Sequence, residues 1–220
     1  MSAPQIQLAL DTPDLPSALG PALACGDVVD VVEAGTVLIL NEGLASVRAL
    51  RAAFPDHPVV ADIRIARAGA KFAAMAFDAG ADRVTVVGEC GPSVINDAVK
   101  AARDHGGQIE VELAATWTES DVEKYVDAGA DHIVAHRFQS GPVVEDRAIR
   151  DTLERLAAMD LNGVGITLAG GISASDGDAL RSLPFGTVAV GSAIVAAEDP
   201  ASAATNMQAA VISEPVGVTS

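Results

Sequence analysis

Aromatic side chains are nearly absent from this chain of 220 residues, at 3% of the composition, so an aromatic-anchored β-sandwich is excluded and any core must be aliphatic. Cysteine is equally scarce. Cys25 and Cys90 are the only two and have no CxxC spacing, which argues against a disulfide framework and a thiolate metal site. Cations are few, with 14 Lys and Arg against 30 Asp and Glu, and the formal charge of -16 would repel a phosphodiester backbone rather than displace its counterions. Nucleic acid is therefore not an expected partner. No apolar run approaches the roughly 18 residues that a membrane span needs. No charged-apolar-small leader precedes Gln5, so the expected setting is the cytoplasm, with no membrane partner.

Half of the residues are apolar and Gly occurs 20 times, enough for one sizeable core built from short strands, glycine turns and alanine-rich helices. Apolar β-rich runs recur at residues 6–10, 28–32, 59–61, 84–87, 109–113, 132–135, 165–168 and 187–190. Between them, apolar spacing near 3.6 predicts helices over 42–54, 69–79, 93–105, 119–128, 144–159, 173–182 and 200–211. A helix after Thr12 is the weakest, because Pro16 and Pro21 interrupt it. Asp78-Ala79-Gly80-Ala81-Asp82 and Asp127-Ala128-Gly129-Ala130-Asp131 form a local repeat that places a glycine at a helix end before each following strand. Strands that each feed a helix predict a single closed (β/α)8 TIM barrel over residues 1–212, with a doubly wound open sheet as the alternative and a disordered tail over 213–220.

In such a barrel the active site lies at the carboxyl ends of the strands. The residues there are Asp11, Glu33, Asp62 with Arg64, Glu112, His136 with Arg137, Gly170-Gly171 and Gly191-Ser192. Any one polar residue at a strand end is commonly a cap or a solvated loop group, but several ionisable ends converging on one mouth point to chemistry. Glu33 and Asp62 offer hard oxygens without a His or Cys cluster, which suits Mg2+ and not zinc. The structural alternative is a buried Asp62–Arg64 ion pair. His136 can move protons near neutral pH. Glycines after the seventh and eighth strands are placed to offer backbone N–H groups to a phosphate.

These residues, with Leu8-Ala9-Leu10-Asp11, Val32-Glu33-Ala34-Gly35-Thr36, Asn41-Glu42-Gly43, Trp117-Thr118, Val134-Ala135-His136-Arg137 and Ala169-Gly170-Gly171-Ile172, make the chain resemble a known family over nearly its whole length. It is similar to 3-keto-L-gulonate-6-phosphate decarboxylases and 3-hexulose-6-phosphate synthases of the orotidine monophosphate decarboxylase suprafamily. The resemblance implies a (β/α)8 homodimer with sites at the subunit interface and an enediolate formed with Mg2+, by loss of carbon dioxide or for addition to formaldehyde. It also implies Glu33 and Asp62 as metal ligands and Asp11 as a substrate-hydroxyl binder. His136 becomes the proton-transfer residue, and Gly171 and Gly191 the phosphate-binding backbone positions.

The chain also departs from that pattern. Where the family has aspartate-x-lysine-x-x-aspartate, this sequence reads Asp62-Ile63-Arg64-Ile65-Ala66-Arg67, so a lysine has become arginine and an acid a cation. Arg64 keeps the charge that stabilises an oxyanion, but a guanidinium is a poor proton donor. Gln139 and Ser192 stand where the decarboxylase branch carries arginines, and Ala169 is synthase-like, whereas Glu112 and Trp117-Thr118 are decarboxylase-like. The expected function is a magnesium-dependent carbon–carbon lyase acting on a 3-keto sugar-acid phosphate. Asp62, Arg64 and His136 would be catalytic, and Asp11, Arg67, Glu112, Arg137, Gln139, Gly170, Gly171, Gly191 and Ser192 would bind substrate. The alternatives are a hexulose phosphate aldolase, a lyase for a substrate without phosphate, and a catalytically silent ligand-binding barrel.

Overall fold

The computed structural model describes residues 3–137, 141–143 and 146–212. The strands β1 (Gln5–Leu10), β2 (Val31–Ala34), β3 (Val59–Ile65), β4 (Arg83–Val87), β5 (Gln108–Glu112), β6 (His132–His136), β7 (Gly165–Ala169) and β8 (Thr187–Val190) close into a barrel in sequence order. All pairings are parallel, and β8 returns to β1 with Gln5 opposite Thr187 and Leu8 opposite Val190, which removes the open-sheet alternative. The expected tail over 213–220 lies outside the described residues.

Strand alternation divides two environments. In β1, Ile6, Leu8 and Leu10 are fully buried in the aliphatic core between barrel and helices, while Gln7 and Ala9 line the lumen. The lumen is not packed with the large aliphatic layers usual in such barrels. Ala9, Val134, Ala169 and Ala189 are small, and Gln7, Glu33, Thr85, Glu110 and Thr167 are polar, so an open shaft runs beneath the mouth.

Around the barrel lie α1 (Leu15–Cys25), α2 (Thr36–Glu42), α3 (Ala45–Ala53), α4 (Gly69–Asp78), α5 (Pro92–His105), α6 (Glu119–Ala128), α7 (Arg147–Ala157), α8 (Gly177–Leu180), α9 (Ser192–Val195) and α10 (Pro200–Ile212). Pro16 sits in the first turn of α1, where no intrahelical N–H is needed, and Pro21 is accommodated inside it. The predicted helix over 42–54 is α3, which begins only at Ala45, and the helix before it, α2, ended by Gly43 at φ +61, was not anticipated. The predicted strand over 28–32 starts later: the N–H groups of Val28 and Val29 both turn back to the Cys25 carbonyl and close α1. The helix expected over 173–182 is a 3-10 turn (Ala174–Asp176) followed by the single turn of α8.

An aspartate sets the register at alternate strand starts. Asp30, Asp82 and Asp131, just before β2, β4 and β6, accept from the N–H of Ile6, Val59 and Ile109 on the preceding strands. In the two repeats an arginine from a helix joins in, Arg51 bonding the Gly80 carbonyl and Asp82, and Arg103 the Gly129 carbonyl and Asp131. Gly80 (φ +102) and Gly129 (φ +89) make the chain reversal that both arginines grip. Replacing Asp131 by Ala strands the Ile109 N–H and the Arg103 guanidinium together. We expect a loss of about 1–3 kcal/mol in the urea unfolding free energy, whereas an unchanged midpoint would show that the aspartate has no role in holding register.

Candidate active site

The carboxyl ends of the strands open on a cavity of about 1060 Å³. Asp11, Glu33, Asp62, Arg64, Glu112, His136, Arg137, Gly170, Gly171, Gly191 and Ser192 all line it. Arg67 is exposed and is not among the lining residues, and Gln139 lies outside the described residues. Asp11 has a structural duty as well: its carboxylate covers Gly35, where a Cβ would lie 2.4 Å from Oδ1, and accepts from the Val37 N–H at 3.1 Å in the first turn of α2.

Four carboxylates on β2, β3 and β5 share this shaft and are compensated unequally. Glu110 pairs with Arg83 at 3.3 Å, and Glu112 with Arg64 at 2.5 Å. Glu33 and Asp62 receive only neutral donors among the described residues. Gln7 Nε2 donates to Glu33 Oε2 at 2.9 Å, and the hydroxyls of Thr36 and Thr85 donate to the two oxygens of Asp62. The suspected Asp62–Arg64 pair is not formed, because the Arg64 guanidinium reaches across to β5. Burial, and then the Asp62 charge, push the Glu33 carboxyl well above the usual carboxylate range. Burial likewise raises Glu110 and Glu112, each opposed by its arginine.

Two adjacent oxygen donors with surplus negative charge could hold a divalent cation. No cluster of three or more His, Cys, Asp or Glu placed to ligate a metal occurs among the described residues. A magnesium ion needs only one or two protein carboxylates and keeps several waters, so Glu33 and Asp62 suit it and do not suit zinc.

Burial lowers the pKa of His136, at the end of β6, which favours the neutral imidazole near pH 7. Arg137 lies at the wall, yet its guanidinium is turned into the protein: Nε pairs with Asp146 at 3.1 Å, Nη1 donates to Gly170 and Gly171 carbonyls, and Nη2 donates to the Gly141 carbonyl. It thus braces the Gly170-Gly171 turn, drawing two carbonyl oxygens towards itself. Gly170 (φ +99) has its α-carbon so close to Arg137 that a Cβ would meet the Arg137 carbonyl at 2.5 Å.

Gln7, Thr36, Thr85, Glu110 and Thr167 also line the cavity and were not anticipated from strand ends. Period-two alternation was the available signal: Gln7 and Ala9 share a face of β1, Thr85 shares a face with Arg83, and Glu110 with Glu112.

Comparison with known proteins places the chain in a family and agrees with the barrel fold. The family model for Orotidine 5'-phosphate decarboxylase / HUMPS matches residues 4–207. A curated relative, the 3-keto-L-gulonate-6-phosphate decarboxylase UlaD of Salmonella paratyphi B, is 32% identical over 214 residues, covering 96% of this chain and 98% of its own. Among solved structures, KGPDC from Streptococcus mutans superposes with a TM-score of 0.84 at 30% identity, covering 96% of this chain and 98% of the other. The 3-hexulose-6-phosphate synthase from Salmonella typhimurium gives a TM-score of 0.85 at 32% identity, covering 94% and 98%. Among the described residues, no helix is long and apolar enough to cross a membrane.

The buried Glu33 carboxyl makes a signed prediction for the metal-free protein. A folded-state pKa raised above the ordinary 4.5 means that its contribution to stability is full below 4.5 and is lost as pH rises through the raised value. Glu33→Gln cannot ionise and escapes that loss. In chelator at pH 8 the variant should therefore melt above the parent, while at pH 4.5 the two should converge. A constant difference across pH would mean that Glu33 is not the titrating group.

Proposed function

The chain belongs to the orotidine 5'-phosphate decarboxylase / HUMPS family and is a carbon–carbon lyase, and we propose that it decarboxylates a 3-keto sugar-acid phosphate with the help of Mg2+. The observation that carries this proposal is the uncompensated pair Glu33 and Asp62 beside the cationic Arg64 at one mouth. Glu33 and Asp62 would hold the ion, which when bound supplies positive charge to a substrate oxygen that becomes anionic.

In the reaction the bond from the carboxylate carbon to its neighbour breaks and carbon dioxide leaves. The electron pair stays behind, delocalised over the adjacent carbonyl as an enediolate. A guanidinium offers fixed donors and is a poor proton donor, so Arg64 would stabilise the enediolate oxygen without protonating it. A proton then adds to carbon. His136, kept neutral by burial, relays it from solvent instead of storing it. Asp11 at the β1 end orients a substrate hydroxyl, and Glu112 holds Arg64 against the opposite wall. The phosphate would meet backbone N–H groups of Gly171 and Gly191 and the Ser192 hydroxyl, with the Gly170 and Gly171 carbonyls drawn towards Arg137. Relatives named for 3-keto-L-gulonate-6-phosphate and 3-hexulose-6-phosphate support a sugar phosphate as ligand.

Ala169 at the end of β7 and the likeness to a 3-hexulose-6-phosphate synthase favour a second reaction of the same site, in which the enediolate carbon attacks formaldehyde. We also propose a homodimer. Val37 and Leu40 on α2, and Phe72 and Met75 on α4, are exposed apolar side chains on the helices that follow the two ligand strands. Arg67, exposed beside α4 and outside its own chain's cavity, would then serve the partner's site.

Steady-state assays of both reactions test the proposal. We expect carbon dioxide release from the 3-keto acid phosphate to exceed formaldehyde addition and to vanish with chelator. Arg64→Met should lower kcat by about 10²–10³, as expected for loss of one oxyanion-stabilising group. Activity indifferent to chelation would remove the assigned ion, and equal turnover of a dephosphorylated substrate would remove the phosphate site.

A further inference from the structure

The ladder between β3 and β4 breaks beside the site. Val60 pairs with Arg83 and Ala61 with Val84, but the next pair is Ile65 with Val86, so Asp62, Ile63 and Arg64 stand opposite Thr85 alone. This bulge puts Arg64 at φ +47, in the left-handed region where a side chain costs about 1–2 kcal/mol. Something must hold it there. Released from the ladder, the Arg64 N–H donates to Thr85 Oγ1 at 2.9 Å, and the same hydroxyl gives its one proton to Asp62 Oδ1 at 2.7 Å. A hydroxyl has one proton and two lone pairs, so both bonds are satisfied together and define its rotation. Thr85 is 5% exposed, so neither bond is readily replaced by solvent.

The two groups it joins are those with separate duties in the proposed lyase. Asp62 is a carboxylate of the cation site. Arg64 is the oxyanion-stabilising cation, and its backbone bend is what sends the guanidinium across to Glu112. Thr36 restrains the other Asp62 oxygen but makes no bond to Arg64. Bulges commonly re-aim a side chain beside an active site, and groups that orient metal ligands tune affinity from one bond away.

We propose that Thr85 is a positioning residue that couples divalent-cation affinity to transition-state stabilisation, by fixing Asp62 and the bent Arg64 backbone through one hydroxyl. This rests on the lyase function proposed above for the same site.

The test compares Thr85→Val, Thr85→Ser and Thr36→Val with the parent, each checked for folding by circular dichroism. Mn2+ binding without substrate is measured by calorimetry, and kcat and KM are measured separately, with and without Arg64→Ala. Thr85→Val should weaken Mn2+ by about 10–100-fold and lower kcat more than it raises KM, while Thr85→Ser restores both. Thr36→Val should weaken Mn2+ with a smaller loss of kcat. In the Arg64→Ala background the Mn2+ defect of Thr85→Val should persist and its kcat defect should shrink, because the group it positions is gone. Parent-like Mn2+ affinity and kcat in folded Thr85→Val, or failure of Thr85→Ser to restore them, overturns the proposal alone. A parent protein that binds no Mn2+ overturns the cation site as well.

Discussion

Unequal compensation of charge inside a closed barrel is the constraint on which the site depends. Taking a carboxylate out of water is costly unless a cation or several donors replace the lost hydration. The lumen holds Glu33, Asp62, Glu110 and Glu112, and it supplies arginines to the two on β5 only. The pair on β2 and β3 keeps an amide and two hydroxyls as partners, which orient the oxygens but do not neutralise them. What remains is a localised negative seat beside a positive guanidinium, on a chain whose overall charge of -16 would otherwise repel anionic substrates. Opposite charges held close together and facing one cavity are what a reaction with a developing oxyanion requires.

The surrounding architecture serves that seat. Small side chains at Ala9, Ala169 and Ala189 keep the shaft open, and the aliphatic core outside the sheet carries the packing that the lumen gives up. Aspartates ahead of β2, β4 and β6 hold their neighbours in register, so the strand ends arrive at one level. The single break in that regularity among the described residues, opposite Thr85, is where the cationic residue is turned to face β5. Regular pairing thus builds the mouth, and one local irregularity arms it.

Much of this was legible in the chain because it depends on local pattern. Apolar runs alternating with helical spacing indicated the barrel, and polar residues at the ends of those runs indicated Glu33, Asp62, Arg64, Glu112 and His136. The rest depends on contacts between distant residues. Whether Arg64 would pair with Asp62 or Glu112 turns on a bulge that strand propensity does not encode. Arg137 looked like a substrate contact from its position after β6, but Asp146 and three backbone carbonyls claim its donors. Gln7, Thr85 and Glu110 were overlooked because they lie inside the strands, below the ends where a barrel's chemistry is usually sought. α2 was missed because its apolar residues follow almost directly on those of β2, with only Gly35 between, and hide the change from strand to helix.

The central claim is that Glu33 and Asp62 share one divalent cation, and anomalous diffraction from crystals grown with Mn2+ tests it most directly. A single anomalous peak within ligand distance of both carboxylates, with Arg64 still on Glu112, is the predicted result. A strong peak elsewhere, or none between those two side chains when manganese is present in excess, would contradict it.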